Sequence, residues 1–332
     1  MPLEANVSSL LVDLGLMAPG EAVDATPLTG GVSSDIVLVT TGAGRRFCVK
    51  RALPRLKVAT LWEAPIGRNA AEANWIRTVA RWRPDAVPTL VAEDPGGGLF
   101  VMDYLPADTH PVWKGKLMTG QADAAFSRAV GAALVAIHSR STAEHELAAA
   151  FANEATFEPI RIEPYLRATA RAHPDIAARL EALAKRTLAT RLVLIHGDVS
   201  PKNILHGPRG PVFLDAECAC WGDPAFDLAF CLTHLLLKGA LRDDRRAAYL
   251  ACFAALSDAY LDGVTWEARH TIESRAADLV QAFLLARVDG RSPVEYLDEP
   301  QRDRVRQAAR TMLLGRTETL SAIAHQWSRP RV

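Results

Sequence analysis

The chain has 332 residues, 49% of them hydrophobic, with 38 basic residues against 38 acidic ones. That apolar content buries a sizeable core without disulfides or metal, and the balanced charge provides no long-range field for nucleic acid or an anionic membrane surface. The five cysteines are odd in number and form no C-x-x-C pair, which argues against a disulfide scaffold or structural zinc site and predicts reduced thiols.

At the N-terminus Glu4 and Asp13 flank a short apolar run without the basic start or cleavage site of a signal peptide, so a soluble, cytoplasmic protein is expected. The most apolar later stretch, Phe226 to Leu237, is interrupted by Asp227 and His234 and reads as too short to span a bilayer. A short helix is predicted from Val7 to Leu16. Thr29 to Asp35 is a turn of small residues. Ile36–Val39 and Phe47–Lys50, joined by Thr41-Gly-Ala-Gly44, form a hairpin; Leu90–Glu93 and Leu99–Met102, joined by Asp94-Pro-Gly-Gly-Gly98, form another. Between them Arg68 to Arg81 suits a helix with Ala71, Trp75 and Val79 on one face.

Beyond Tyr104 the pattern turns helical. Thr119 is a candidate cap for a helix carrying Phe126, Val130, Leu134 and Ile137 at helical spacing, and helices are predicted over much of Pro164–Thr190, Phe226–Lys238, Arg245–Leu261, Trp266–Val288 and Pro300–Trp327. One β-like interval intervenes, Leu192–Ile195 and Val212–Leu214, with Gly207-Pro-Arg-Gly210 as a turn between them. The expected fold class is α+β and bilobal: a small strand-rich lobe over residues 1–103 and a larger helical lobe over residues 104–332, carrying a β-hairpin.

Several polar residues in this frame match the needs of phosphoryl transfer: a carboxylate to orient a hydroxyl, oxygen ligands for Mg²⁺, a cation on the phosphates and amides over the phosphate chain. His196-x-Asp198-x-x-x-x-Asn203 puts a carboxylate and an amide five residues apart after a β-like run. Asp215 ends the apolar run Val212-Phe-Leu214. Lys50 ends another strand, with Glu72 on the following helix as its expected partner. The bland readings are a surface lysine for Lys50 and, for Glu72, an ion pair with Arg68 four residues earlier; Glu63 is a competing acid. Gly30-Gly31-Val32-Ser33-Ser34 bends tightly enough to present amides to phosphate.

These segments resemble the aminoglycoside phosphotransferase and choline kinase branch of the protein kinase-like fold, which pairs an H-G-D-x-x-x-x-N loop with a strand ending in D-x-E and a G-D-P-x-x-D-L-A segment. Here they read His196-Gly-Asp198-Val-Ser-Pro-Lys-Asn203, Asp215-Ala-Glu217 and Gly222-Asp-Pro-Ala-Phe-Asp227-Leu-Ala. The resemblance implies Asp198 as base, Asn203 and Asp215 as Mg²⁺ ligands, Lys50 with Glu72 as phosphate clamp, and ATP or GTP as donor. It also implies Gly30, Gly31, Ser33 and Ser34 over the phosphates, adenine on the backbone of Asp103, Tyr104 and Leu105, and Asp227 bracing the catalytic loop. His196 is expected to position backbone. One departure concerns the lysine that protein kinases place two residues after the aspartate: that position is Ser200, and Lys202 either reaches the γ-phosphate or points to solvent.

For the acceptor, Glu217 (or a solvated neighbour), Trp221 (or a core tryptophan), Arg287 and Asp289 (or a helix stop) and Trp113-Lys114-x-Lys116 are candidates. Only eleven residues separate Asp215 from Asp227, and no A-P-E segment follows, so a small hydroxylated acceptor is expected and no protein, nucleic-acid or membrane partner. The acidic and basic residues interleaved in the C-terminal helices do not choose between a polyamine sugar, choline, a thiosugar or an anionic metabolite. The competing classes are a non-catalytic nucleotide-binding pseudokinase and a metal-dependent hydrolase using His196, Asp198 and Asp215.

Overall fold

The computed structural model describes residues 3–28, 34–53 and 67–328; Gly30, Gly31 and Ser33, expected over the phosphates, lie outside them. Five antiparallel strands make the small lobe: β1 (Val23–Pro27), β2 (Ser34–Thr41), β3 (Arg46–Ala52), β4 (Leu90–Asp94) and β5 (Leu99–Asp103), in spatial order β1-β2-β3-β5-β4. Both expected hairpins are present, and β1 is an added edge strand.

Side-chain alternation gives the sheet two jobs. Val37, Val39, Phe47, Val49, Leu99 and Val101 turn to one face, where Val7 and Leu11 of α1 (Val7–Asp13) cover them. The alternate residues Ile36, Lys50 and Phe100, neighbours across three strands, turn to the other face. The period that buries Phe47 and Val49 on one side therefore sends Lys50 to the other, toward the large lobe. Helix α2 (Arg68–Trp82) lies against β4 and β5.

The large lobe opens with α3 (Trp113–Met118) and α4 (Ala124–Ser141). Asp123 caps α4, its carboxylate accepting from the amides of Ala125 and Phe126, so the cap falls four residues beyond Thr119. Two short turns, α5 (Leu147–Ala150) and α6 (Glu154–Phe157), lead into a π-helical stretch, Glu158–Arg167, then α7 (Ala168–Ala172) and α8 (Ala177–Ala189). The remaining helices are α9 (Pro224–Leu241), α10 (Arg246–Asp262), α11 (Arg269–Asp289), α12 (Glu299–Gly315) and α13 (Leu320–Ser328).

The β-like interval is not one hairpin. Val193–Ile195 (β6) pairs with Cys220–Gly222 (β9), whereas Ile204–Gly207 (β7) pairs with Gly210–Phe213 (β8). The Gly207–Gly210 turn joins β7 to β8, and the ribbon β6–β9 brackets both the His196–Asn203 loop and the Asp215 segment. Helix α9 is buried from Pro224 to Gly239 and packs on α10 and α11. It extends far enough to cross a bilayer by length and composition, and its burial is that of a core helix. All five cysteines are buried and free.

Candidate active site

Strand β6 leads into the His196–Asn203 loop, expected from the sequence to be catalytic. Gly197 has a φ of 78°, and a Cβ there would come within 2.6 Å of the Cys218 carbonyl, so glycine is required both for the turn and for the close approach. The Asp227 carboxylate, in the first turn of α9, accepts from the amides of His196 at 2.7 Å and Gly197 at 2.9 Å. It also meets His138 Nε2 at 3.2 Å, and His138 Nδ1 lies 2.7 Å from the Tyr260 hydroxyl. His196 takes the Asp198 amide on Nδ1 and contacts the Leu214 carbonyl through Nε2, so Nε2 carries the proton. Burial lowers the pKa of His196, keeping it neutral.

Asp198 Oδ2 collects three donors: Arg161 Nη2 and Asn203 Nδ2 at 2.8 Å each, and Lys202 Nζ at 3.1 Å. Among the described residues no donor reaches Oδ1. Asp215 sits in left-handed backbone with φ 67°, a conformation aspartate tolerates better than most residues. Lys50 Nζ donates to Glu72 Oε2 at 2.6 Å and to Asp215 Oδ1 at 2.5 Å, and Glu72 Oε1 accepts the Asp215 amide at 3.2 Å. Burial alone would lower the Lys50 ammonium; Asp215 and then Glu72 outweigh it and hold the ammonium above its ordinary value. Burial would likewise raise Asp215, but Lys50 and Lys202 keep it well below the usual carboxylate range. Burial pushes the Glu72 carboxyl up against the pull of Lys50.

Lys50, Glu72, Asp198, Asn203 and Asp215 all line one cavity of about 680 Å³ between the lobes, together with Ser34, Ser200, Lys202 and Glu217. The chain's likeness to known proteins agrees with this geometry. Residues 24–260 match the phosphotransferase enzyme family, APH, across well over half of the chain. The chain belongs to that family. Methylthioribose kinase of Pectobacterium atrosepticum is 26% identical over 251 residues, covering 68% of this chain and 62% of that kinase. The match thus spans about three fifths of the relative's length. Plasmodium vivax ethanolamine kinase has a TM-score of 0.58 at 12% identity, over 93% of this chain and 88% of that one. The macrolide 2′-phosphotransferase of Brachybacterium faecium has a TM-score of 0.51 at 17% identity, over 99% of both chains. At these identities the likeness is one of fold, and the fold is that of protein kinase-like phosphotransferases.

In this phosphotransferase-family chain several sequence expectations need correction. Glu217 is no solvated neighbour: it is buried on the cavity wall and paired with Arg68 Nε at 2.9 Å. Arg68 therefore does not form the surface pair with Glu72; the two side chains, one turn apart on α2, reach different residues of the Asp215-Ala-Glu217 segment. Trp221 lies in β9 within the core and does not line the cavity, because its strand position opposite Leu194 turns it inward. Asp289 is engaged away from the cavity, by Arg306 at 2.7 Å and His173 at 2.8 Å. Arg287, two residues earlier on α11, does line it.

At the lobe junction Met102 borders the cavity, whereas Leu105 lines a smaller hollow with Asp85 and His110. The amides of Asp103 and Tyr104 already donate to Thr89 and Arg46 carbonyls; the Leu105 amide has no partner among the described residues. Ser34 Oγ and Ser200 Oγ are buried on the cavity wall without a partner among the described residues. Lys202 is half-exposed and faces Asp198 and Asp215, at 3.1 and 3.7 Å. Sequence reasoning missed Arg161 and Lys238. The available signals were a lone arginine between the buried Ile160 and Ile162, and a lysine one turn beyond His234 on an apolar helix.

Proposed function

We propose that this chain transfers the γ-phosphoryl group of ATP or GTP to a hydroxyl of a small sugar-like or choline-like molecule. The observation that carries the reading is the convergence of Lys50, Asp198, Asn203 and Asp215 on one cavity, with Asp198 Oδ1 unpartnered among the described residues. Asp198 holds the acceptor hydroxyl on Oδ1 and takes its proton as the oxygen bonds to phosphorus. The donors on Oδ2 fix the orientation of the carboxylate, which suits a loose transition state in which orientation matters more than early deprotonation. Lys50, fixed by Glu72, presents its ammonium to the phosphate oxygens, and Ser34 and Ser200 offer buried hydroxyls to the same chain. Backbone at Asp103 to Leu105, next to Met102 at the cavity's edge, takes the base; the Leu105 amide, unpartnered among the described residues, is the donor, although Leu105 also lines the smaller hollow.

Asn203 turns Nδ2 to Asp198, which leaves its Oδ1 without a partner among the described residues, and Asp215 adds a carboxylate held ionised by Lys50. Two hard oxygen donors on one wall fit Mg²⁺, which keeps waters and phosphate oxygens as its other ligands. When bound, the ion neutralises charge on the transferring group. A hydrolase using His196 as a metal ligand is disfavoured, since both ring nitrogens are engaged. A purely regulatory nucleotide site would need neither the free Asp198 oxygen nor the second half of the cavity. The reading is tested by thermal unfolding with Mg·ATP or Mg·GTP: at a hundred times Kd the native state gains about 2.7 kcal/mol and the midpoint rises by several degrees. An unchanged midpoint at millimolar nucleotide contradicts it.

A further inference from the structure

The large-lobe end of the cavity carries a charge surplus. Lys114, Lys238 and Arg287 line it against a single carboxylate, Glu295. Glu295 is taken: its Oε1 lies 2.6 Å from Lys114 Nζ. Arg287 Nη1 donates to the Tyr165 hydroxyl, the Ser292 carbonyl and Ser292 Oγ, and its buried Nε has no partner among the described residues. Lys238 is 1% exposed and makes no hydrogen bond or ion pair with any described residue; its Nζ stands 3.3 Å from the centroid of the Tyr296 ring. The buried Tyr296 hydroxyl is likewise unpartnered among the described residues. Arg161 and Lys202 are engaged by Asp198 at the other end. A lysine buried without a counter-charge is costly to protonate, and its position on a cavity wall is accounted for if a ligand brings the counter-charge that lets it hold its proton.

Helix α9 sets the direction of this site. Phe230, His234 and Lys238 recur every fourth residue and all face the cavity, while Asp227, at the start of the same helix, holds the catalytic loop. One rigid element thus fixes where the reacting hydroxyl meets Asp198 and where the other end of the acceptor meets Lys238. A quaternary ammonium would need an open aromatic face; of the rings on the cavity wall, Tyr296 carries Lys238, Tyr165 has Arg287 5.6 Å from its centroid, and Phe230 packs among Tyr165, Phe226 and Phe283.

We propose that the acceptor is an anion: a small hydroxylated molecule whose carboxylate, sulfate or phosphate group is held by Lys238 and Arg287 beside Tyr296 while its hydroxyl reaches Asp198. The inference rests on the phosphotransferase reading. In the transfer the acceptor oxygen bonds to the γ-phosphorus, the bond from that phosphorus to the β,γ-bridging oxygen breaks with its electron pair leaving on the nucleoside diphosphate, and the hydroxyl proton passes to Asp198.

The test is calorimetric binding to the full chain carrying Mg·AMP-PNP, with acceptors matched in skeleton and differing in charge: gluconate, glucitol, glucamine and glucitol phosphate, and the three-carbon set glycerate, glycerol, aminopropanediol and glycerol phosphate. The acid or the phosphate of at least one set is expected to bind at least about tenfold more tightly than its neutral and amine counterparts. Lys238→Met is expected to remove that preference with nucleotide affinity unchanged, and Lys238→Arg to retain it. Nucleotide binding, measured first, separates the failures. A chain that binds no Mg·AMP-PNP overturns the phosphotransferase reading and this one with it. A chain that binds nucleotide but prefers the neutral or amine compound, binds no anion of either set, or keeps its preference in Lys238→Met overturns the anionic acceptor alone.

Discussion

At Asp198 one oxygen meets Arg161, Lys202 and Asn203 while the other has no partner among the described residues. The spacing of Asp198 and Asn203 was legible because both sit in one short loop, where sequence separation equals spatial separation. Arg161 reaches the same carboxylate from the π-helical stretch, and no spacing rule connects residues that far apart. At Lys238 the consequence is pH dependence. Burial, with Lys114 and then Arg287 adding to it against Glu295, lowers the empty-site ammonium to about 6. Around it His234 is pushed far down by burial and stays neutral, and Tyr296 is pushed up and stays protonated. An anion docked on Lys238 favours the ammonium and raises that value. The affinity of an anionic acceptor is therefore greatest below pH 6 and falls as pH rises toward the bound-state value, by up to roughly tenfold per unit. Titrating gluconate or glycerate binding from pH 5.5 to 8 checks the sign; an affinity that is flat or increases with pH contradicts it.

At the scale of elements, α9 braces the His196–Asn203 loop through Asp227 and lines the cavity through Lys238. The buried Asp227 side chain stabilises two backbone amides that have no other acceptor among the described residues, and it anchors His138 as well. Asp227→Ala is predicted to lose about 3 kcal/mol or more of unfolding free energy, because buried amides are left unpaired. Urea unfolding measures it, and a loss under about 1 kcal/mol would show the loop to be held by something else. The existence of α2, α4, α9, α10 and α11 was readable from helical periodicity, which is local. The pairing of the short strands was not. Val193–Ile195 and Gly210–Phe213 are both β-like, yet each finds its partner elsewhere, in Cys220–Gly222 and Ile204–Gly207. Three- or four-residue runs carry too few side chains to specify a partner, and burial against the helical lobe decides. β1 was missed for a related reason: Val23-Asp-Ala-Thr-Pro27 is short, and only Val23 and Ala25 turn to the core, both half-buried.

At the scale of the molecule, the two lobes are tied by charge across the cavity. Lys50 of the sheet, with Glu72 and Arg68 of α2, engages Asp215, its amide and Glu217 of the large lobe. That linkage puts the Lys50 ammonium beside the Asp215 carboxylate, and it was partly legible: the Lys50–Glu72 pair followed from order along the chain, the Arg68–Glu217 pair from nothing local. The central claim is that this cavity moves a phosphoryl group with Asp198 as base. The direct measurement is phosphorus NMR of the full chain with Mg·ATP and the matched acceptors, run beside Asp198→Asn. The account predicts a new phosphomonoester resonance with loss of ATP for the native chain, and a rate lower by about two to four orders of magnitude for the variant, whose Mg·ATP affinity is unchanged. Turnover that survives in Asp198→Asn at the native rate, or no phosphomonoester from any of the acceptors, would contradict it.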